Sequence, residues 1–325
     1  MTKNIDSDEL NLMLNVVKKY YEMGMTQEQI AKEEFISKSS VCRLIKKASA
    51  NGIISFSINY PVDAVDDLEN EFYRYFDIDR VVIAPTSGDD IDARMRGTCR
   101  LVASDICKMI LPNDILAVSW GLTMDQLAST FATEIIINKK CDKVVMMNGS
   151  IASEVHSTKS SYIVGQFADF FSARGYLMPV PMIVDTKETA DMLKADSHIK
   201  YVLEYAGASR LAVFSIGAAS YESVLRKRGA YSKEDYDDVL TKGAVGDIIG
   251  RCFDINGNLV STSIDDRIMG IDMKILKSKK IRMGIGVGSN KARAIIGALK
   301  GGMVNRLYMD SVTAKEVRRL LSVAQ

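Results

Sequence analysis

Three stretches of this chain place hydroxyl, glycine and charged residues where a β-branched run gives way to a helical pattern. Ser119-Trp120-Gly121-Leu122-Thr123 follows the run ILAV. A serine, a glycine and a threonine leading into a helix bring hydroxyls, close backbone approach and a helix dipole to one point, which suits an anion. A tight turn with Thr123 as the helix N-cap explains the same residues equally well. Gly286-Val287-Gly288-Ser289-Asn290-Lys291 closes a second run. The dipole disfavours a lysine at a helix start, so Lys291 calls for an anionic ligand or a solvent-exposed pose. The ligand is the expectation, although the spacing matches neither a Walker motif nor GxGxxG. In the third stretch, Gly243-Ala244-Val245-Gly246-Asp247-Ile248-Ile249-Gly250, the glycine density permits close backbone approach. Asp247 is expected to accept from ligand hydroxyls or else to cap loop amides. Asn148 and Gly149 line the same cleft or simply turn. Trp120 is a stacking face or a packing ring.

The elements that must position these residues are legible in the hydropathy pattern. Short apolar runs at 81–84, 115–119, 144–147, 211–217, 281–288 and 307–309 alternate with helical patterns at 92–110, 125–134, 162–174, 187–205 and 291–300. That alternation predicts a parallel sheet covered on both faces. Ligands on such sheets bind beyond the carboxyl ends of the strands.

The first sixty residues have a different texture. A helix over 10–23, with Leu12, Val16 and Tyr20 inward, is closed by Gly24. Thr26 and Gln29 form a capping box for a second helix, with Ile30, Ala31, Phe35 and Ile36 as its apolar face. Ser37 caps a third, whose Val41, Leu44, Ile45 and Ala48 share a buried stripe. The opposite face carries Lys38, Ser39, Ser40, Arg43, Lys46 and Lys47, and 35–50 holds four basic residues and no acidic one. This is the pattern of a helix-turn-helix whose last helix enters a major groove. Arg43, Ser39 and Ser40 would face base edges, while Lys38, Lys46 and Lys47 would meet phosphates, with Gln27 at the start of the preceding helix. ISFSI after Gly52 suggests a short wing strand. Asp63 to Phe76 reads as a linking helix with Val65, Leu68, Phe72 and Phe76 on one side. The expected organisation is 1–60, a linker helix at 61–77, and a second domain at 78–325.

Bulk properties narrow the class. A chain of 325 residues with 42 Lys+Arg against 41 Asp+Glu has a net charge of +1, so any nucleic-acid argument rests on local charge. Five scattered cysteines without a CxxC pair, and two histidines, argue against a zinc site and for reduced thiols in a cytoplasmic protein. No apolar run approaches membrane-spanning length.

Taken together, the motifs resemble the SorC/DeoR-type bacterial transcriptional regulators. YYEMGMTQEQIAKEEFISKSSVCRLIKKASANGIISFSI looks like that family's helix-turn-helix. ILAVSWGLT, GAVGDIIGRCFDINGN and GVGSNKARAIIGALKGGMVNRLYMD look like its effector-domain signatures, in the same order. The resemblance covers nearly the whole length. It implies an α/β fold: an N-terminal, winged-type helix-turn-helix domain, then a Rossmann-like parallel α/β effector domain similar to glucosamine-phosphate isomerase and ribose-phosphate isomerase. It further implies double-stranded operator DNA as partner, a phosphorylated sugar as effector, a homodimer or homotetramer, and no cofactor or metal. The phosphate-loop role falls on Ser119, Gly121 and Thr123, the sugar contact on Asp247, and the helix-start role on Lys291. Cys42 departs from the serine usual in the recognition helix. Phe214-Ser215-Ile216-Gly217 replaces the usual Gly-Ile-Gly, with Gly217 on the cleft wall.

Two other readings stand beside a regulator. A sugar-phosphate isomerase or deaminase fused to a DNA-binding module would need a positioned base. The cleft loops offer Asp247, which could in principle serve, and Lys291, but no histidine sits at a strand end, and no catalytic residue is expected. A helix-turn-helix serving only protein contacts would leave the basic face unexplained.

Overall fold

The computed structural model describes residues 7–50, 53–54, 63–86, 88–135, 139–151 and 159–323. The chain divides into two compact units, Met1–Asn59 and Tyr60–Gln325.

The smaller unit packs α1 (Ser7–Tyr21), α2 (Gln27–Glu33) and α3 (Lys38–Ala50) around one core. The capping box forms as expected: Gln29 N–H donates to Thr26 Oγ1 at 3.3 Å, and Thr26 N–H donates to Gln29 Oε1 at 2.8 Å. Ser37 Oγ accepts from Ser40 N–H at 3.1 Å and opens α3. Met13, Val16, Ile30, Val41, Leu44, Ile45 and Ala48 are the buried core. Val16 is central in α1, but Met13 takes the other inner position, leaving Leu12 and Tyr20 half-buried at its flanks. Phe35 is no part of the apolar face. It sits at φ 57° in the turn and is 95% exposed. The turn between α2 and α3 needs a left-handed residue there, which directs the side chain outward. Most of the wing strand expected after Gly52 lies outside the described residues.

The larger unit runs α4 (Asp63–Tyr75), β1 (Arg80–Ala84), α5 (Ile91–Met109), β2 (Ile115–Val118), α6 (Leu122–Thr133), β3 (Lys143–Met146), α7 (Ser160–Phe170), β4 (Arg174–Tyr176), α8 (Lys187–Ala195), α9 (Ser197–Ala208), β5 (Leu211–Ser215) and β6 (Gly217–Ala218). It continues with α10 (Val224–Lys227), α11 (Lys233–Thr241), β7 (Gly246–Ile248), β8 (Arg251–Phe253), α12 (Thr262–Asp265), α13 (Met273–Ser278), β9 (Ile281–Gly286), a 3-10 turn at Ser289–Lys291, α14 (Ala292–Lys300), β10 (Arg306–Asp310) and α15 (Ser311–Val323).

Seven strands form one parallel sheet in the order β1-β10-β9-β5-β2-β3-β4. The inner strands are apolar through most of their length, as a sheet covered on both faces requires, and Leu116, Ala117, Val144, Val145, Leu211, Val213, Met283 and Ile285 are fully buried. From β2 the chain builds outward to β3 and β4, then returns to place β5 on the other side of β2. That reversal makes the β2–β5 boundary a topological switch point. α4 is not a free linker: Leu68 and Phe72 are buried in the core of the larger unit.

Three further differences have local causes. The helix expected over 187–205 is two helices, because Asp196 accepts from His198 N–H at 3.0 Å and Ile199 N–H at 3.4 Å and so caps a new start. The helix expected to reach 174 ends at Phe170, and Arg174–Tyr176 becomes the edge strand β4. The glycine-dense 243–250 stretch is a hairpin rather than a loop: β7 pairs antiparallel with β8, and β6 joins them as a small second sheet.

Candidate functional site: a cleft at the strand ends and a basic helix face

β3, β2, β5 and β9 are successive neighbours in the sheet, so their carboxyl ends form one rim. Asn148 lies beyond β3, Ser119 to Thr123 beyond β2, Ser215 at the end of β5, and Gly288 to Lys291 beyond β9. Of the sequence-predicted residues, this rim brings together Ser119, Gly121, Thr123, Asn148 and Lys291, and the small sheet adds Gly217 and Asp247.

The β2 turn is open to a ligand. Gly121 adopts φ 121° and is the N-cap residue of α6, making no side-chain cap bond. Thr123 is therefore not the cap; it is buried in the first turn of the helix. Asp125 N–H donates to Gly121 O at 2.8 Å as the first bond of α6, so the N–H groups ahead of it have no acceptor within the helix. Ser119 is 3% exposed, and among the described residues its Oγ has no hydrogen-bond partner. On the neighbouring strand end, Asn148 Oδ1 is likewise buried and unpartnered. Buried polar atoms are ordinarily paired, so two orphans on adjacent strand ends mark a place for a polar ligand.

Of the alternatives for Trp120 and Gly149, the structure takes the packing one rather than a ligand-facing role. The indole ring is buried and its Nε1–H donates to Gly149 O at 2.7 Å, so it is a wall and not an open stacking face. Gly149 N–H donates to Met269 O at 2.9 Å, which removes it as a ligand donor. A Cβ on Gly149 would lie 2.4 Å from Pro181 O, so glycine is required there for packing.

Asp247 comes over the end of β5 because β7 pairs with β6, with Gly217 opposite Asp247. A Cβ on Gly217 would stand 2.0 Å from Asp247 Oδ1, so that glycine makes room for the carboxylate. The hairpin turn holds both Ile249 (φ 50°) and Gly250 (φ 84°) in the left-handed region. A β-branched residue there is strained, and such strain persists where the surroundings over-determine it. Its consequence is local: Gly250 N–H reaches the Asp247 carboxylate, and Tyr231 Oη donates to Gly250 O at 2.5 Å. Burial raises the Asp247 carboxyl to about 6, opposed by the Gly250 amide and by the Lys291 charge. Lys291 is pushed down by burial and held up by Asp247, Cys99 and Asp310. Cys99 donates through Sγ to Thr123 O at 3.8 Å, next to the β2 turn. The strand ends thus carry a turn with unsatisfied donors, a cation and a carboxylate, the last two close enough to act on each other's charge. Asp254, by contrast, only caps its own turn, accepting from Asn256 N–H at 2.9 Å and Asn258 N–H at 2.8 Å.

Ser215 was missed from the sequence. Its Oγ lies 3.8 Å from where a Cβ on Gly121 would be. The signal was available: it closes β5 as Ser119 follows β2. Among the described residues no group of three or more His, Cys, Asp or Glu side chains is placed to hold a metal ion. None of the helices there is long and apolar enough to cross a membrane.

In the smaller unit, Ser39, Arg43 and Lys46 are exposed on α3, with Gln27, Ser40 and Lys47 half-buried. The all-basic stretch is less bare than its sequence implies, because acids arrive from other helices. Lys38 Nζ pairs with Glu28 Oε1 at 2.7 Å, and Lys47 Nζ with Glu9 Oε1 at 2.5 Å. Among the described residues Arg43 and Lys46 have no carboxylate partner. Ser37 Oγ lies 2.8 Å from both Ser39 Oγ and Ser40 Oγ.

Comparison with known proteins agrees with this anatomy. Residues 60–319 match the family model described as "Putative sugar-binding domain". The chain is 30% identical to the deoxyribonucleoside regulator of Bacillus subtilis (strain 168) over 314 residues, 96% of this chain and 98% of that protein. It is 26% identical to the sorbitol operon regulator of Klebsiella pneumoniae over 316 residues, 95% of this chain and 98% of that one. The crystal structure of full-length SorC from Klebsiella pneumoniae superposes with a TM-score of 0.77, covering 96% of this chain and 99% of that chain at 26% identity. With residues 60–319 matching a sugar-binding domain model and regulators as relatives over nearly its whole length, the chain belongs to the SorC/DeoR-type family of sugar-responsive bacterial transcriptional regulators.

Proposed function

We infer that the effector is a phosphorylated sugar, seated with its phosphate on the Ser119–Thr123 turn and its hydroxyls towards Asp247 and Asn148. The observation that carries this reading is the unpartnered Ser119 Oγ beside the open N-terminus of α6. Serine hydroxyl, helix amides and a lysine suit a phosphate dianion better than a neutral hydroxyl. Asp247, Asn148 and Ser215 supply acceptors and a donor for a polyol. Lys291 is the counter-charge and Gly217 the clearance.

The DNA reading places α2 and α3 as a helix-turn-helix on double-stranded operator DNA. Arg43, Ser39 and Ser40 reach base edges, and Lys46 meets a phosphate. Lys38 and Lys47 contribute only as Glu28 and Glu9 release them, while Gln27 lies at the backbone-facing start of α2. A unit this small binds weakly alone, so a homodimer or homotetramer supplies affinity through linked half-sites. The chain is read as a cytoplasmic regulator and not an enzyme, which the names of its full-length relatives support.

Arg43→Ala tests the DNA assignment. The expected result is weaker operator binding by about 1–3 kcal/mol with relaxed preference at one base position. Unchanged affinity and preference would remove α3 as the reading helix. A thermal-shift series with phosphorylated sugars and their unphosphorylated parents tests the effector class, with stabilisation expected only from the former.

A further inference from the structure

Asp310 is fully buried where β10 ends and α15 begins, and its two oxygens serve different parts of the larger unit. Oδ1 accepts from Val312 N–H at 3.0 Å and Thr313 N–H at 3.1 Å, which caps α15, and from Arg94 Nη1 at 3.3 Å. Oδ2 accepts from Gly288 N–H at 3.2 Å and from the Thr313 hydroxyl. Thr313 Oγ1 in turn takes the same Gly288 N–H at 2.8 Å. The amide of the glycine that shapes the Lys291 turn is thus fixed by two buried side chains, one ending β10 and one in α15.

On its other side this corner meets α4. β1 is an edge strand, and its outward N–H groups would be open. α4 closes them: Val81 N–H donates to Tyr73 Oη at 3.0 Å and Ile83 N–H to Glu69 Oε1 at 2.7 Å. β1 pairs with β10 up to Ala84 opposite Asp310. Arg318 of α15 also stands 3.9 Å from Glu71 of α4. In sequence, α4 is the first helix after the smaller unit.

We propose that Asp310 and Thr313 are positioning residues that couple the Lys291 turn of the effector cleft to α4, so that ligand binding is felt at the helix leading to the DNA-binding unit. The route is short and made of named bonds: Gly288 amide, Asp310 and Thr313, the β10–α15 corner, β1, and the Glu69 and Tyr73 bonds of α4. It rests on the reading of the cleft as a phosphate-sugar site only for the ligand that moves it, since the bonds themselves need none.

Backbone amide hydrogen exchange on the full chain tests it. Thr313→Val removes the hydroxyl at nearly constant shape. It should speed exchange at 286–291 and also across α4, each by roughly fivefold, with β2 and β3 unchanged. Thr313→Ser should restore both segments. Faster exchange at 286–291 with α4 unaltered overturns the coupling. Should Thr313→Val lose its fold by circular dichroism, Glu69→Ala probes the path from its other end. It must then loosen 286–291 as well as β1, and loosening of β1 alone overturns the proposal. Inorganic phosphate at saturating concentration separates the two claims. Protection of 119–123, 286–291 and α4 in wild type, with α4 protection lost in Thr313→Val, supports both. Protection of the two turns without α4 overturns the coupling and leaves the site standing. Protection of neither turn counts against the phosphate site, while the variants without ligand still decide the coupling.

Discussion

The turn after β2 and the turn after β9 hold a glycine in nearly the same conformation, φ 121° at Gly121 and φ 113° at Gly288. Their surroundings differ. A Cβ on Gly121 would approach only Ser215 Oγ, at 3.8 Å, and the hydroxyl beside it is unpartnered. A Cβ on Gly288 would meet Asn290 Oδ1 at 2.8 Å, and the Gly288 amide is engaged by Asp310 and Thr313. One turn leaves its hydroxyl unpartnered among the described residues. The other has its glycine amide bound internally and carries Lys291. The same backbone shape is thus left open in one place and braced in the other.

That contrast predicts a ranking of effects. Asp310→Ala would break it most severely: a buried guanidinium and several amides lose their acceptor, and stability should fall by about 3–5 kcal/mol in urea unfolding. Lys291→Ala should abolish the stabilisation by a phosphorylated sugar, which for wild type at a hundred times its dissociation constant is about 2.7 kcal/mol. The ligand-free protein should be no less stable, because burial already disfavours that charge.

Asp247→Asn should act in opposite directions on fold and function. Burial raises this carboxyl from 3.8 to about 6, so the folded chain binds the proton more tightly than the unfolded one. Its contribution to stability therefore falls as pH rises through that window and stays low above it. The asparagine variant should lack this decline and gain about 1 kcal/mol near neutral pH, while binding the sugar more weakly. A variant less stable than wild type at pH 7 would show that the carboxylate holds the hairpin in place. Ser119→Ala should have the smallest effect on the fold, within about 0.5 kcal/mol, because no bond to the hydroxyl is lost.

Most of the parallel sheet and the three N-terminal helices were legible because both are written in local periodicity and capping: Thr26 with Gln29, Ser37 before Val41, and the buried β-branched strands. The strand-end position of Ser119, Asn148 and Lys291 followed from the alternation of strand and helix. What escaped was set by long-range contact. Gly149 is glycine because the chain at Pro181 crosses it, and Trp120 is a wall because its N–H meets Gly149 O. The acids that pair Lys38 and Lys47 come from α2 and α1. Asp310 could have been suspected as a helix cap after LYM, yet its hold on Gly288 spans 22 residues. Ile249 gives no sequence sign of a left-handed turn, since its type argues against one.

In the proposed mechanism the open turn seats the phosphate, with Lys291 of the braced turn as its counter-charge, and this occupation controls DNA binding. The most direct measurement is operator affinity for wild type and Ser119→Ala, on a duplex selected by the purified protein, with a phosphorylated sugar that stabilises wild type and with its unphosphorylated parent. Equal affinity of both proteins without ligand is predicted, together with a shift in wild type caused by the phosphorylated sugar alone and lost in Ser119→Ala. An equal shift from the unphosphorylated sugar, or a full response in Ser119→Ala, would contradict the account.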